Sequence, residues 1–231
     1  ARAALADAGY TPVPTIVAEK GHVHDGPVFR AGEPANVELH VEPTTRVRML
    51  PAREILEKAT AIAPGLRMPA PEHRIVHNVI HAQIVNGDHA GGVANLRDSL
   101  DLARLIDAFG AEVNWAGLSQ RARSRGFFPQ LSGAIHKAAR FAGATLPPSF
   151  AGDSGGRRHA WRCGLQRQLP GVDRPLRKFG ILVRALAWER DSYALGFEET
   201  RGLRAHFLVN LRRASRIGQA ASRAISGRIH G

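Results

Sequence analysis

The chain has almost no cysteine and no long apolar run. Cys163 is the only cysteine among 231 residues, which excludes an intramolecular disulfide and a cysteine-based zinc site. No apolar stretch approaches the roughly 18 residues that a membrane-spanning helix requires. The first residues also lack the positive segment and apolar core of a signal peptide. These absences predict a soluble protein without a membrane span, in a reducing, cytoplasmic setting.

Two common nucleotide-binding motifs are absent as well. There is no Gly-x-x-x-x-Gly-Lys-Ser/Thr loop and no Gly-x-Gly-x-x-Gly turn after a strand, so neither P-loop hydrolysis nor Rossmann dinucleotide binding is indicated. Residues 152–156, Gly-Asp-Ser-Gly-Gly, do match the loop around the nucleophile of trypsin-like serine proteases. That mechanism also needs a histidine base, a buried aspartate and an all-β scaffold. Because this region is predicted to be helical, we attribute the match to linker composition.

Positive charge is concentrated in the last third of the chain. The net charge is +12, and residues 1–150 hold 16 Lys and Arg against 14 Asp and Glu, whereas residues 151–231 hold 16 against 6. Such a bias favours polyanions such as nucleic acid, nucleotide phosphates or an acidic partner. The alternative is that the basic residues simply form a solvated face.

Periodicity and turn residues predict an α+β chain. A helix is predicted at residues 1–8, ended by Gly9, and short strands follow up to residue 50. Residues 51–150 predict a helical domain, with helices at 51–62, 71–85 and 91–111 and two more beginning at Trp115 and Pro129. Residues 151–160, rich in Gly and Ser, predict a flexible linker. Residues 161–231 predict a basic helical region, with helices at about 178–193 and 201–225.

Residues 35–43, Ala-Asn-Val-Glu-Leu-His-Val-Glu-Pro, predict a half-buried strand. Val37, Leu39 and Val41 alternate with polar residues, so Glu38 and His40 should share one face. A carboxylate held on a strand beside an imidazole suits a metal or a proton. The alternative is an ordinary polar edge that faces solvent.

Histidines and aspartates on two predicted helices form a second candidate site. His73, His77 and His81 recur every four residues and should lie along one helix face, and Asp98 and Asp101 follow on the next helix. The set His77, His81, Asp98 and Asp101 is a candidate for a metal site. No Glu follows His77 to make a His-Glu-x-x-His zinc motif, so structural roles as caps or core hydrogen-bonding groups stay open.

Several short motifs between His22 and Leu105 together resemble a known family. They are Gly21-His22-Val23-His24, Val37-Glu38-Leu39-His40, His73-Arg74-Ile75-Val76-His77-Asn78, His81-Ala82-Gln83 and Leu96-Arg97-Asp98-Ser99-Leu100-Asp101-Leu102-Ala103. They resemble bacterial nucleotidyltransferases with a polymerase-beta-type fold, many of them uncharacterised. The resemblance implies that residues 1–50 are the C-terminal part of a mixed nucleotidyltransferase-like sheet, followed by the helical region.

The resemblance also implies a reaction and its participants. Such enzymes transfer a nucleoside monophosphate from a nucleoside triphosphate to a hydroxyl or similar acceptor, using Mg²⁺ or Mn²⁺ held by three carboxylates. Two of these belong to an Asp-x-Asp or Asp-x-Glu pair after a Gly-Ser turn, and Glu38 aligns with the third, with His40 beside it. The turn and the pair are missing here. We expect the turn and the pair to lie upstream in a longer protein; the alternative is a degenerate relative that never had them. In either case we expect this chain to be inactive alone.

Two other functions stay open from the sequence. The first is a non-catalytic helical module whose basic C-terminal third binds nucleic acid or a partner protein. The second is a metal-dependent hydrolase built on His77, His81, Asp98 and Asp101. The acceptor, the nucleotide preference and the oligomeric state have no signal in the sequence.

Overall fold

The computed structural model describes residues 2–12, 27–34, 36–40, 42–44 and 46–186. The helix predicted at 201–225 lies outside these residues, as does the end of the helix predicted at 178–193. The α+β class is confirmed, because two small antiparallel sheets precede and interrupt a larger helical region.

The first sheet lies beside a short N-terminal helix. Helix α1 (Arg2–Asp7) is followed two residues later by Gly9, whose φ of 84° is the left-handed conformation that favours glycine. Strand β1 (Thr11–Pro12) pairs antiparallel with β2 (Val28–Phe29), and Val28 makes one further bridge, to Val37. The pairing between the described strands is therefore antiparallel, although a mixed sheet is predicted.

Residues 36–40 are extended but do not form the regular strand that the alternation predicts. Val37 and His40 make only isolated bridges. Pro34 and Pro43 bound this stretch, and proline provides no N–H group for a sheet ladder. The alternation itself is correct, since Val37 and Leu39 are half-buried while Glu38 and His40 are exposed.

A hairpin replaces the second half of the first predicted helix. Helix α2 (Ala52–Lys58) is followed by β3 (Thr60–Ala63) and β4 (Leu66–Met68), which pair antiparallel. The helix predicted to reach Ile62 therefore ends at Lys58. Gly65 lies at φ 73°, so Pro64 and Gly65 form the turn of the hairpin rather than only a helix stop.

Helices α3 and α5 supply most of the candidate site. Helix α3 (Pro71–Val79) continues into a π-helical segment, Ile80–Val85, so the helix predicted at 71–85 is correct in extent but not in its last turn. Helix α4 (Asp88–Gly91) and α5 (Leu96–Phe109) replace the single helix predicted at 91–111. The Asn95 side chain caps α5 by accepting a hydrogen bond from the Arg97 amide.

Five helices complete the described chain. They are α6 (Trp115–Ser124), α7 (Phe128–Ala142), α8 (Pro148–Ala151), α9 (Ser154–Gln168) and α10 (Pro170–Leu186). The predicted starts of α6 and α7 are confirmed, with Asn114 capping α6 and a proline in the first turn of α7.

The linker predicted at 151–160 is wrong, because α9 begins inside it. The carboxylate of Asp153 accepts hydrogen bonds from the Gly156 amide at 2.7 Å and from the Ser132 hydroxyl at 2.5 Å. A Cβ atom on Gly156 would lie 2.3 Å from a His136 ring carbon. The protease-like motif is therefore a helix cap, and its buried glycine lets α9 approach α7 closely. The other predicted domain boundaries stay predictions.

Helix α7 lies at the centre of the core, between α5 and α9. The largest fully buried apolar side chains belong to several elements, which indicates one continuous core: Leu50, Ile75, Ile80, Ile84, Leu102, Leu118, Phe127, Leu131, Ile135 and Phe150. Within the described ranges, no helix combines the length and the apolar character needed to cross a membrane.

Candidate functional site

A groove of about 1,330 Å³ is lined by Glu38, His40 and Pro43 together with side chains of helices α2, α3 and α5. Its walls carry every site residue predicted from the sequence, although the two predicted sets lie far apart in the chain. Glu38, His40, His77, His81, Asp98 and Asp101 all line it. The two predicted sets thus line one groove.

Glu38 and His40 form a pair on the groove wall. The Nε2 atom of His40 lies 3.3 Å from Oε2 of Glu38, and both side chains keep more than two-fifths of their surface exposed. The alternation of the stretch predicts this shared face. An imidazole at this distance restricts the carboxylate's orientation and leaves its second oxygen available to a ligand in the groove.

His77 joins the extended stretch to α3. Its Nε2 donates a hydrogen bond to the Pro43 carbonyl over 3.1 Å, and its ring centroid lies 6.1 Å from that of His81. Desolvation in the groove wall lowers the pKa of His77; the Pro43 carbonyl opposes this shift, while the nearby imidazoles of His81 and His40 add to it. The imidazoles of His40, His77 and His81 therefore lie close together at the groove.

Helix α5 brings both acids and bases to the groove. Asp98 accepts a hydrogen bond from the Asn95 side chain over 2.8 Å, and Asp101 lies one turn further on. The other α5 side chains that line the groove are Arg97, Arg104, Leu105, Ala108 and Phe109. The Arg74 guanidinium lies 4.6 Å from the Phe109 ring centroid, which joins α3 to the end of α5 by a cation–π contact.

An ion-pair network joins α2 and α3 to the end of α6. The sequence patterns did not predict this network. Glu54 accepts hydrogen bonds from Arg121 and Arg125, each at 2.7 Å, and Arg121 also reaches Glu72 at 2.9 Å. His73 is fully buried next to Glu54 and lines the groove floor. Desolvation lowers the pKa of His73, and the charge of Arg121 acts in the same direction.

The described residues do not form a magnesium site by themselves. Mg²⁺ prefers near-octahedral oxygen ligands. The described carboxylates that line the groove are Glu38, Asp98 and Asp101, and Glu38 is paired with an imidazole. Nowhere in the described ranges does a set of three or more His, Cys, Asp or Glu side chains adopt an arrangement that could hold a metal ion. Glu38 as a metal ligand therefore stays a prediction, as does the metal site at His77, His81, Asp98 and Asp101 that the hydrolase alternative needs.

Comparison with protein families matches residues 1–143 to a family described as uncharacterised nucleotidyltransferases. The match covers more than half of the chain, including the whole groove. The chain belongs to this nucleotidyltransferase family. Neither the curated proteins nor the solved structures contain a significant match. The match ends just after α7, so α8, α9 and α10 lie beyond the matched residues.

Proposed function

We propose that this nucleotidyltransferase serves metal-dependent transfer of a nucleoside monophosphate from a nucleoside triphosphate to an acceptor, and that the groove receives the nucleotide. One observation carries the proposal: Glu38 and His40 share a groove with His77, His81, Asp98 and Asp101, within the residues that match the family. Ligand pockets commonly measure about 300 to 1,000 Å³. The groove exceeds this range, so it has room for a nucleotide and part of an acceptor.

In this proposal Glu38 is one ligand of Mg²⁺ or Mn²⁺, and the other oxygen ligands come from outside the described residues. The bound ion would neutralise phosphate charge and polarise the phosphorus centre. The chain's own residues have simpler roles. His40 orients the Glu38 carboxylate, and the guanidinium groups of Arg97 and Arg104 attract the anionic substrate. Arg74 and Phe109 provide a flat surface at the end of the groove.

Blocking the groove tests this assignment. Asn78 lines the groove, whereas Asn86 is exposed and lies outside it. We expect Asn78→Trp to weaken ATP binding at least roughly tenfold in calorimetry, because the indole occupies the ligand volume. Asn86→Trp, the matched control, should bind ATP like the wild-type chain. Unchanged ATP affinity in Asn78→Trp would exclude the groove as the nucleotide site.

A second candidate function rests on helix α9. This helix contains four arginines and no acidic residue, and Trp161 is 57% exposed on the same side as Arg157 and Arg158. Exposed aromatic rings beside basic groups suit single-stranded nucleic acid, whose bases can stack on the ring. Replacing both arginines with glutamine should weaken binding of a single-stranded RNA and flatten its salt dependence. Equal binding by the variant and the wild-type chain would remove this candidate.

A further inference from the structure

A lysine is buried in the middle of α7, behind the groove. Lys137 is only 1% exposed, and its Nζ donates hydrogen bonds to Oε1 of Gln83 at 2.8 Å and to the Val93 carbonyl at 3.0 Å. Desolvation lowers the pKa of Lys137, and the nearby Cys163 and Asp88 act in the opposite direction. A buried ammonium destabilises a fold unless it is hydrogen-bonded, so these two contacts matter to the structure.

The first contact holds the π-helical segment. Four of its six residues are buried, namely Ile80, Ala82, Gln83 and Ile84, while His81 is exposed and lines the groove. A π-helical turn has i→i+5 hydrogen bonds, is rarer than an α-helical turn and occurs often at functional sites. Here the wider turn directs the Gln83 amide toward Lys137 and leaves the imidazole two residues earlier at the groove.

The second contact holds the loop that leads into α5. Val93 lies two residues before Asn95, which caps α5 and donates a hydrogen bond to Asp98. Asp98 lines the groove. One ammonium group thus contacts the chain segments that carry both His81 and Asp98, two residues that line the groove.

We propose that Lys137 is a positioning residue of the groove, which fixes His81 relative to Asp98 through its contacts with Gln83 and Val93. Lys137 lies behind the walls and does not touch the ligand. That this arrangement serves nucleotide binding rests on the proposed function. That Lys137 positions His81 and Asp98 does not.

Substitution of Lys137 by methionine tests the positioning directly. Methionine keeps a similar length but removes the donor, so the ring signals of His81 should move in NMR spectra, with assignment by His81→Gln. ATP binding should weaken on the order of tenfold, because a displaced contact of about 1 Å is costly. Lys178→Met, at an exposed position on α10, is the matched control and should change neither readout.

A core substitution separates positioning from general loss of stability. Leu131→Val destabilises the same helix without removing the Lys137 contacts, and the His81 signals should stay in place. If Lys137→Met does not fold, Gln83→Met should still shift the His81 signals, while Gln83→Glu keeps an acceptor and should preserve them. His81 signals that are unchanged in both Lys137→Met and Gln83→Met would overturn the inference. Absence of ATP binding in the wild-type chain would instead count against the proposed function alone.

Discussion

Nη1 of Arg121 lies 2.7 Å from Oε1 of Glu54, which joins α6 to α2 across 67 positions of sequence. Burial alone would raise the pKa of Glu54, but the hydrogen bond and charge of Arg125, together with Arg121, hold it below its ordinary value. Both side chains are less than one-fifth exposed. The pair therefore stabilises the position of α2 beside the groove more than a surface pair would.

Glu54→Ala should lower the free energy of unfolding by about 2 kcal/mol, less than for a fully buried pair because some water contact remains. The matched control is Glu57→Ala on the same helix, where Glu57 pairs with an Arg53 side chain that is 90% exposed. Its effect should stay below about 0.5 kcal/mol. Urea denaturation measures both values, and equal losses in the two variants would contradict the role given to Glu54.

Gly156→Ala should destabilise the contact between α7 and α9. The added Cβ would lie 2.3 Å from the Ser132 hydroxyl oxygen and the same distance from a His136 ring carbon. We expect a loss of about 1 to 3 kcal/mol from overpacking. At the neighbouring Gly155 a Cβ would make only ordinary contact, at 3.6 Å from Asp153. Gly155→Ala should be neutral or slightly stabilising in thermal denaturation, and a similar loss there would refute the close-packing explanation.

Acid should destabilise the fold through His159, which stacks on His89 at 4.0 Å. Desolvation, aided by the charges of His89, Lys137 and Arg162, lowers the pKa of His159 from 6.5 to about 2. Below about pH 6.5 the unfolded chain binds a proton at His159 that the folded chain does not. The contribution of His159 to the free energy of unfolding is therefore fully present above about pH 6.5 and falls by about 1.4 kcal/mol per pH unit below it.

His159→Phe should lower by about one the number of protons that the chain takes up on unfolding, and so flatten the fall of stability with acid. Urea denaturation between about pH 7.5 and about pH 5 measures this slope. Cys163→Ala is the control, because it removes a buried neighbour that does not titrate in this range and should leave the slope unchanged. A wild-type slope in the Phe variant would show that His159 is not the group responsible.

Local signals in the sequence predicted the starts of several elements correctly. Asn114 caps α6 and Pro129 lies in the first turn of α7. Each marks a helix start through contacts within one turn, which the sequence alone reveals. The alternation around Glu38 and His40 likewise predicts their shared face. The resemblance to nucleotidyltransferases is confirmed by the family match over residues 1–143.

Contacts between distant segments explain what the sequence did not reveal. Gly156 looks like a linker residue until α7 is placed against it, and Lys137 looks like a surface lysine although Gln83 lies 54 positions away. Helix α5 shows the same limit of prediction from sequence alone. Its residues Leu96 and Leu100 are more than two-fifths exposed, while Leu102 is buried. Several apolar stripes fit one helix, and only the neighbouring helices select among them.

A turnover assay tests the expectation that this chain is inactive alone. Among the described residues, no three or more His, Cys, Asp or Glu side chains are arranged to hold a metal ion. Incubation of the 231-residue chain with nucleoside triphosphates and Mg²⁺ should therefore release no pyrophosphate above background. Release that is lost in Glu38→Gln would show that the chain holds a complete site.

The most direct test of the central claim is the effect of Mg²⁺ on ATP binding, measured by calorimetry for Glu38→Gln and for Glu57→Gln. Glu57 lies on α2 but does not line the groove, so it controls for the loss of one negative charge. We predict that Mg²⁺ strengthens ATP binding to the wild-type chain and to Glu57→Gln, and that this gain disappears in Glu38→Gln. An equal Mg²⁺-dependent gain in all three proteins would contradict a role for Glu38 in metal-dependent nucleotide binding.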